Sequence, residues 1–263
     1  MNHYFIKKII LFFCLISLFK INSQYKPEDT EVWDPEPTII NPGNNNQPPS
    51  DAVILFDGKD LSKWKGSSGI FKGPIIIWKV LGKKKPVEWT VNNDGSMIVN
   101  PGRGSIETLG EHGSIQLHIE WKTPEKVISS GQGRGNSGIF FQNRYEVQIL
   151  DSYENRTYSN GQAASVYKQY SPLVNASRPP GEWQEYDIVF IEPEFDEKGK
   201  KIKSGRLTVF HNRVLVQNNV EIQGTTEFSG PPKNTVNKFP KKTLMIQDHG
   251  NLVSFRNIWY RKL

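Results

Sequence analysis

From Asp51 onward the chain is written in short runs in which apolar and polar residues alternate. "SIQLHIEW" sets Ile115, Leu117, Ile119 and Trp121 against Gln116, His118 and Glu120, the two-residue period of a strand with one buried face. "EYDIVFI" and "RLTVFHNRVLV" repeat the pattern, and turn signals such as "FDGKD", "NNDGS", "NPGRG", "KTPEK" and "DHGN" separate the runs. No long stretch carries a helical period. The spacing predicts an all-β fold: a jelly-roll β-sandwich of two antiparallel sheets.

One strand departs from the usual composition. "RYEVQILD", Arg144 to Asp151, places Tyr145, Val147 and Ile149 on one face and Glu146 and Gln148 on the other. If "QLHIE" and "YEVQ" both turn their apolar sides to the core, their outward sides combine into one polar surface of Gln116, His118, Glu120, Glu146 and Gln148. Such a surface suits a carbohydrate cleft, and equally a plain solvated sheet face.

The N-terminus reads differently. Lys7 and Lys8 precede an apolar run, Ile9 to Phe19, that is too short to span a bilayer comfortably and ends in polar residues. Residues 1–23 are expected to be a secretory signal peptide cleaved after Ser23, so that the protein is exported, periplasmic or secreted. Cys14, the single cysteine, lies inside that run, so the mature chain would have no thiol and no disulfide. Cleavage removes three lysines and reduces the formal charge from +6 to +3. With Lys83 to Lys85 in a turn-like stretch lacking interleaved aromatics, nucleic acid is a poor partner. Residues 24–50, rich in Pro, Asn and acids, are expected to be an arm or linker whose Val32, Trp33, Ile39 and Ile40 dock onto a domain at 51–263.

"GRGNSG" (Gly133–Gly138) has dinucleotide-loop spacing but leads into a strand, not a helix, and is read as a loop carrying Gln132, Arg134, Asn136 and Ser137 to the polar face. "EVQILD" resembles the E-x-D-x-x-E signature of laminarinase-like glycosidases, with Gln148 for the middle acid and Asp151 for the last. It is shaped for a sugar and poorly equipped for ordinary retaining hydrolysis. His118 and His249 have no partner at a convincing metal-ligand spacing.

Together "ILFDGKDLSKW", "DGSMIV", "LHIEW", "GRGNSGIFFQNRYEVQILDSY", "GEWQEYDIVF" and "MIQDHGNLVSFRNIWYRKL" resemble the 3-keto-disaccharide hydrolase family, in order from about Val53 to Leu263. Ala163-Ala164-Ser165 departs from its pattern. The resemblance implies a concanavalin A-like sandwich acting on glycosides already oxidised to a ketone at C3. Such a ketone acidifies the C2 proton, so a base can remove it, the C1 aglycone leaves by elimination, and water then adds. For these roles the resemblance and strand geometry together nominate Glu146 and Glu120 as base and acid, with His249 as an alternative. Arg134 would stabilise the enolate, and Asn136, Gln142, Gln148, Asp151, Tyr167, Lys168 and Gln247 would bind hydroxyls. No cofactor is called for; a divalent metal at the enolate oxygen is compatible with the scheme but nothing demands one. A glycoside 3-dehydrogenase would supply the substrate. Two other readings stay open: a lectin-like module that binds glycans without cleaving them, and a retaining glucanase, which Gln148 disfavours.

Overall fold

The alternating runs become fifteen short strands among the residues that the computed structural model describes, 25–44, 47–67, 85–234 and 242–263. The expected signal peptide, Lys83 and Lys84 lie outside them. One sheet has eight strands. It runs in the order β13 (Val214–Glu221), β12 (Arg206–His211), β9 (Gln184–Ile191), β6 (Ile115–Lys122), β15 (Ser254–Lys262), β4 (Met97–Ile98) and β3 (Thr90–Val91), with β1 (Val53–Phe56) also paired to β15. The other has five: β2 (Trp64–Gly66), β5 (Ile106–Thr108), β14 (Met245–Ile246), β7 (Ser137–Phe141) and β8 (Tyr145–Ile149). Strands β10 (Glu194–Phe195) and β11 (Lys201–Lys203) form a separate hairpin. All these pairings are antiparallel, and the only helical pieces described are three short 3-10 turns. The expected jelly-roll sandwich is what forms.

The core lies between the sheets. Pairing in β6 and β9 sets Leu117 opposite Ile188 and Ile119 opposite Tyr186, all fully buried. Across from them β7 and β8 contribute Ile139 opposite Val147 and Phe141 opposite Tyr145, and Ile246 extends the row through β14. Each fully buried side chain of this size contributes about 1.5–3 kcal/mol, so the alternation fixes which face of every strand turns inward.

That same alternation separates the two polar strand faces. Strands β6 and β8 belong to different sheets, so their outward sides lie on opposite surfaces of the sandwich. The single polar surface expected from Gln116, His118, Glu120, Glu146 and Gln148 does not exist. Residues Tyr25–Ile40 form a unit of their own with one 3-10 turn, Pro27–Thr30. Val32, Trp33 and Ile39 are exposed there.

Candidate functional site

The outer face of the five-stranded sheet holds the site. Register puts Glu146 opposite Phe140 and Gln148 opposite Gly138, while Met245 of β14 faces Phe140 from the other side. Directly opposed residues share a sheet face. Gln247, just beyond β14, joins this face through its backbone N–H, which donates to the Gly138 carbonyl at 3.0 Å. Glu146 is only 4 % exposed, and its carboxyl accepts no hydrogen bond and meets no cation among the described residues. Burial alone therefore pushes it up to about 8.

Beside it, Gln148 donates through Nε2 to Gln132 Oε1 and Asn136 Oδ1, each at 3.3 Å. Its own Oε1 is buried without a donor, as is Oε1 of Gln247. Two orphaned amide oxygens beside a protonatable carboxyl make a surface that asks for hydroxyl donors, because buried acceptors left unpaired cost on the order of 1–3 kcal/mol each.

Loops build the walls. Residues 164–167 continue the sheet past β8, with Gln148 N donating to Ser165 O at 3.0 Å and Tyr167 N to Glu146 O at 3.1 Å. The Tyr167 and Tyr158 hydroxyls lie 2.7 Å apart. Burial, then the bond to Tyr158 and the charge of the Glu146 carboxyl, raise Tyr167 above the usual phenol range, so it stays a proton donor. Lys168, exposed and left-handed at φ 57°, bonds its ammonium to the Phe228 carbonyl and lies 4.6 Å from the Phe228 ring and 5.6 Å from that of Tyr167. On the other side Gly135 N donates to Asn251 Oδ1 at 3.0 Å, tying the Gln132–Asn136 loop to the one that carries the exposed His249.

The sequence profile of the family described as the 3-keto-alpha-glucoside-1,2-lyase-like domain matches residues 51–261. The chain belongs to that family. Among its relatives, a 3-keto-disaccharide hydrolase from Bacteroides thetaiotaomicron is 24 % identical over 258 residues, covering 78 % of this chain and 76 % of that protein. A crystal structure from Parabacteroides distasonis ATCC 8503, of a protein provisionally named a glycosyl hydrolase, is 40 % identical, covers 92 % of this chain and 98 % of the other, and superposes with a TM-score of 0.81. A second structure from that organism, provisionally named likewise, shares the fold at 19 % identity and a TM-score of 0.53, covering 81 % and 94 %.

This 3-keto-alpha-glucoside-1,2-lyase-like domain brings Glu146, Gln148, Asn136, Tyr167, Lys168 and Gln247 to one face, with His249 on an adjoining loop. Other nominated residues go elsewhere. Glu120 lies on the outer face of the eight-stranded sheet, bound by Arg256 at 2.6 Å and Asn257 at 3.0 Å, with His118 at 3.8 Å. Burial would raise Glu120, but His118 beside it and hydrogen bonds from Asn257 and Arg256 outweigh it and hold it down to about 2. It is a fixed counter-ion remote from Glu146, not a neighbouring acid.

Arg134 is also committed. It donates to Asp151 at 2.6 Å and to the Tyr153 carbonyl at 2.9 Å, a largely buried clamp at the foot of the loop rather than a cation over the cleft. Asp151 is thereby used up as well. Gln142 sits in the β7–β8 turn and donates to Glu192 at 2.8 Å, so its amide is committed to a residue just beyond β9. Sequence reasoning passed over Gly138, Tyr158 and Phe228. A glycine inside the strand pattern "SGIFF" is the one available signal, since it marks close approach of a neighbouring group.

Proposed function

We propose that this domain is a carbohydrate-active enzyme that cleaves glycosides carrying a ketone at C3. The observation that carries the reading is Glu146: a carboxyl with no counter-ion among the described residues, held at about 8 by burial, on a face whose unpaired amide oxygens would receive sugar hydroxyls. Proton abstraction from carbon calls for a stronger base than an ordinary carboxylate, and a raised value supplies it near neutral pH. The Bacteroides relative's name and the family description support a 3-keto substrate.

In the proposed reaction ionised Glu146 takes the C2 proton, and the electron pair passes into the C3 ketone as an enolate. The enolate collapses with cleavage of the C1–oxygen bond, releasing the aglycone and leaving a C1=C2 double bond conjugated to the ketone. Water then adds its hydroxyl to C1, and protonated Glu146 returns a proton to C2. Lys168 is the cation on the rim for the enolate charge, and Tyr167, kept protonated, or His249 would protonate the leaving oxygen. Gln148 and Gln247 would hold hydroxyls, with Asn136 orienting the Gln148 amide. We further propose that the protein is exported, on the strength of the basic and apolar N-terminal run, and works downstream of a glycoside 3-dehydrogenase.

The test is aglycone release from chromogenic glucosides and their 3-keto counterparts in deuterated buffer. Release from the 3-keto compounds alone, with deuterium at C2 of the recovered sugar and loss of release in Glu146→Gln, is expected. Saturable glycan binding without release from either would instead favour a lectin-like module.

A further inference from the structure

A cavity of about 790 Å³ opens on the outer face of the eight-stranded sheet, the surface opposite to Glu146. Its floor includes Glu120, Arg256 and Trp259, and its rim Asp57, Lys59 and Asp94, from the turns that follow β1 and β3. The mechanism above uses none of them.

The lining offers donors and acceptors together. Trp259 is 7 % exposed, and its buried Nε1 finds no acceptor among the described residues. An indole N–H buried in this way ordinarily has a partner, so Trp259, one of the residues lining the cavity, carries an unmet donor. The Arg256 side chain shows only one hydrogen bond among the described residues, through Nε. Asp94 accepts from the Ser96 N–H and hydroxyl on Oδ1, which leaves Oδ2 facing no described donor. Ile54 and Pro48 add apolar wall between these groups.

Charge decides the ligand class. Three carboxylates, Asp57, Asp94 and Glu120, outnumber the two cations, Lys59 and Arg256, so an anionic ligand gains nothing on entry. No group of three His, Cys, Asp or Glu side chains among the described residues could hold a metal. A neutral sugar fits both constraints, because each hydroxyl both donates and accepts and the ring C–H groups suit the apolar wall. We infer that this cavity is a second, non-catalytic binding site for a neutral oligosaccharide. It would hold a glycan chain on the surface opposite the cleft, and it stands whether or not Glu146 acts as proposed.

The test follows the indole N–H resonances of the ¹⁵N-labelled protein during titration with cellotetraose and maltotetraose, with tetragalacturonate and inorganic phosphate as anionic controls. Trp259→Phe removes the N–H, keeps an aromatic ring, and identifies the Trp259 resonance by its disappearance. A neutral tetrasaccharide should shift that resonance saturably, Trp259→Phe should weaken this binding by about tenfold or more, and Glu146→Gln should leave it unchanged. Should Trp259→Phe fail to fold, Lys59→Ala on the exposed rim should weaken binding by roughly threefold or more. A Trp259 resonance unmoved by neutral sugars, or moved only by the anions, overturns the inference, as does affinity unaltered in both variants.

Discussion

Gly138 lies directly beneath the Glu146 carboxyl: a Cβ built on Gly138 would collide with Oε1 of Glu146 and press on the ring of Phe140. Strand β7 gives up a side chain there, and the vacated space is what lets a carboxyl lie flat and dry against the sheet. Gly138→Ala should therefore drive Glu146 toward solvent and lower its pKa toward the ordinary carboxylate range, with release of aglycone falling by about a hundredfold or more. The pH dependence of the rate, read beside circular dichroism to establish folding, checks this. A profile like the parent's would contradict the close packing.

Glu146 also couples activity and stability to pH in opposite senses. As a base it must be ionised, so the rate should rise with pH and level off above about 8, and Glu146→Gln should cost on the order of 10²–10⁴ in rate. Its folded-state value lies above the unfolded one, so its contribution to stability is present in full below pH ~4.5 and is lost as pH rises through about 8. Glu146→Gln should consequently melt at a higher temperature than the parent at pH ~9 and show little difference at pH ~4. Calorimetry at the two pH values decides it.

On the opposite sheet the sign for Glu120 is reversed. Burial alone would lower His118, but its hydrogen bond with Asp187 at 2.8 Å and the Glu120 carboxylate 3.8 Å away raise it to about 9, while Glu120 is held near 2. The carboxylate's contribution is present above pH ~4.5 and lost as pH falls through about 2; the imidazolium's is present below pH ~6.5 and lost as pH rises through about 9. This cluster is therefore most stabilising between those inner limits. Glu120→Ala, which strands two cations against the sheet, should cost about 2–4 kcal/mol near pH 6 by denaturant titration, yet leave the rate per folded molecule unchanged.

The Arg134–Asp151 clamp should act through position rather than contact. Arg134→Ala frees the loop bearing Gln132 and Asn136 and strands a buried carboxylate, with an expected cost of about 3–5 kcal/mol. In protein kept folded by low temperature, KM for a 3-keto-glucoside should rise more than kcat falls, because the amides that orient Gln148 lose their anchor. A fall confined to kcat would instead point to Arg134 at the reacting atoms.

How much of this is legible beforehand depends on the range of the interaction involved. Period-two patterning is local: it makes Ile115, Leu117 and Ile119 inward and Glu120 outward whatever the rest of the chain does. For the same reason Glu146 and Gln148 stand out as polar residues in a strand whose other face is core. Glu120 shows the same local signature, and nothing near it in sequence announces that Arg256 and Asn257 will bind it. Gln142 likewise carries no local sign of its partner Glu192, fifty residues away.

By itself, then, the sequence determined the all-β class, the inward face of each strand and the short list from which the site is drawn, because side-chain alternation and turn chemistry act within a few residues. Only the tertiary structure decided which polar residues are partnered and which are left bare. Sheet membership sends β6 and β8 to opposite surfaces, β15 gives Glu120 its cation, and a glycine on β7 gives Glu146 space without one. The raised carboxyl at the proposed site is a product of long-range pairing and desolvation, neither of which is written in any local stretch of the chain.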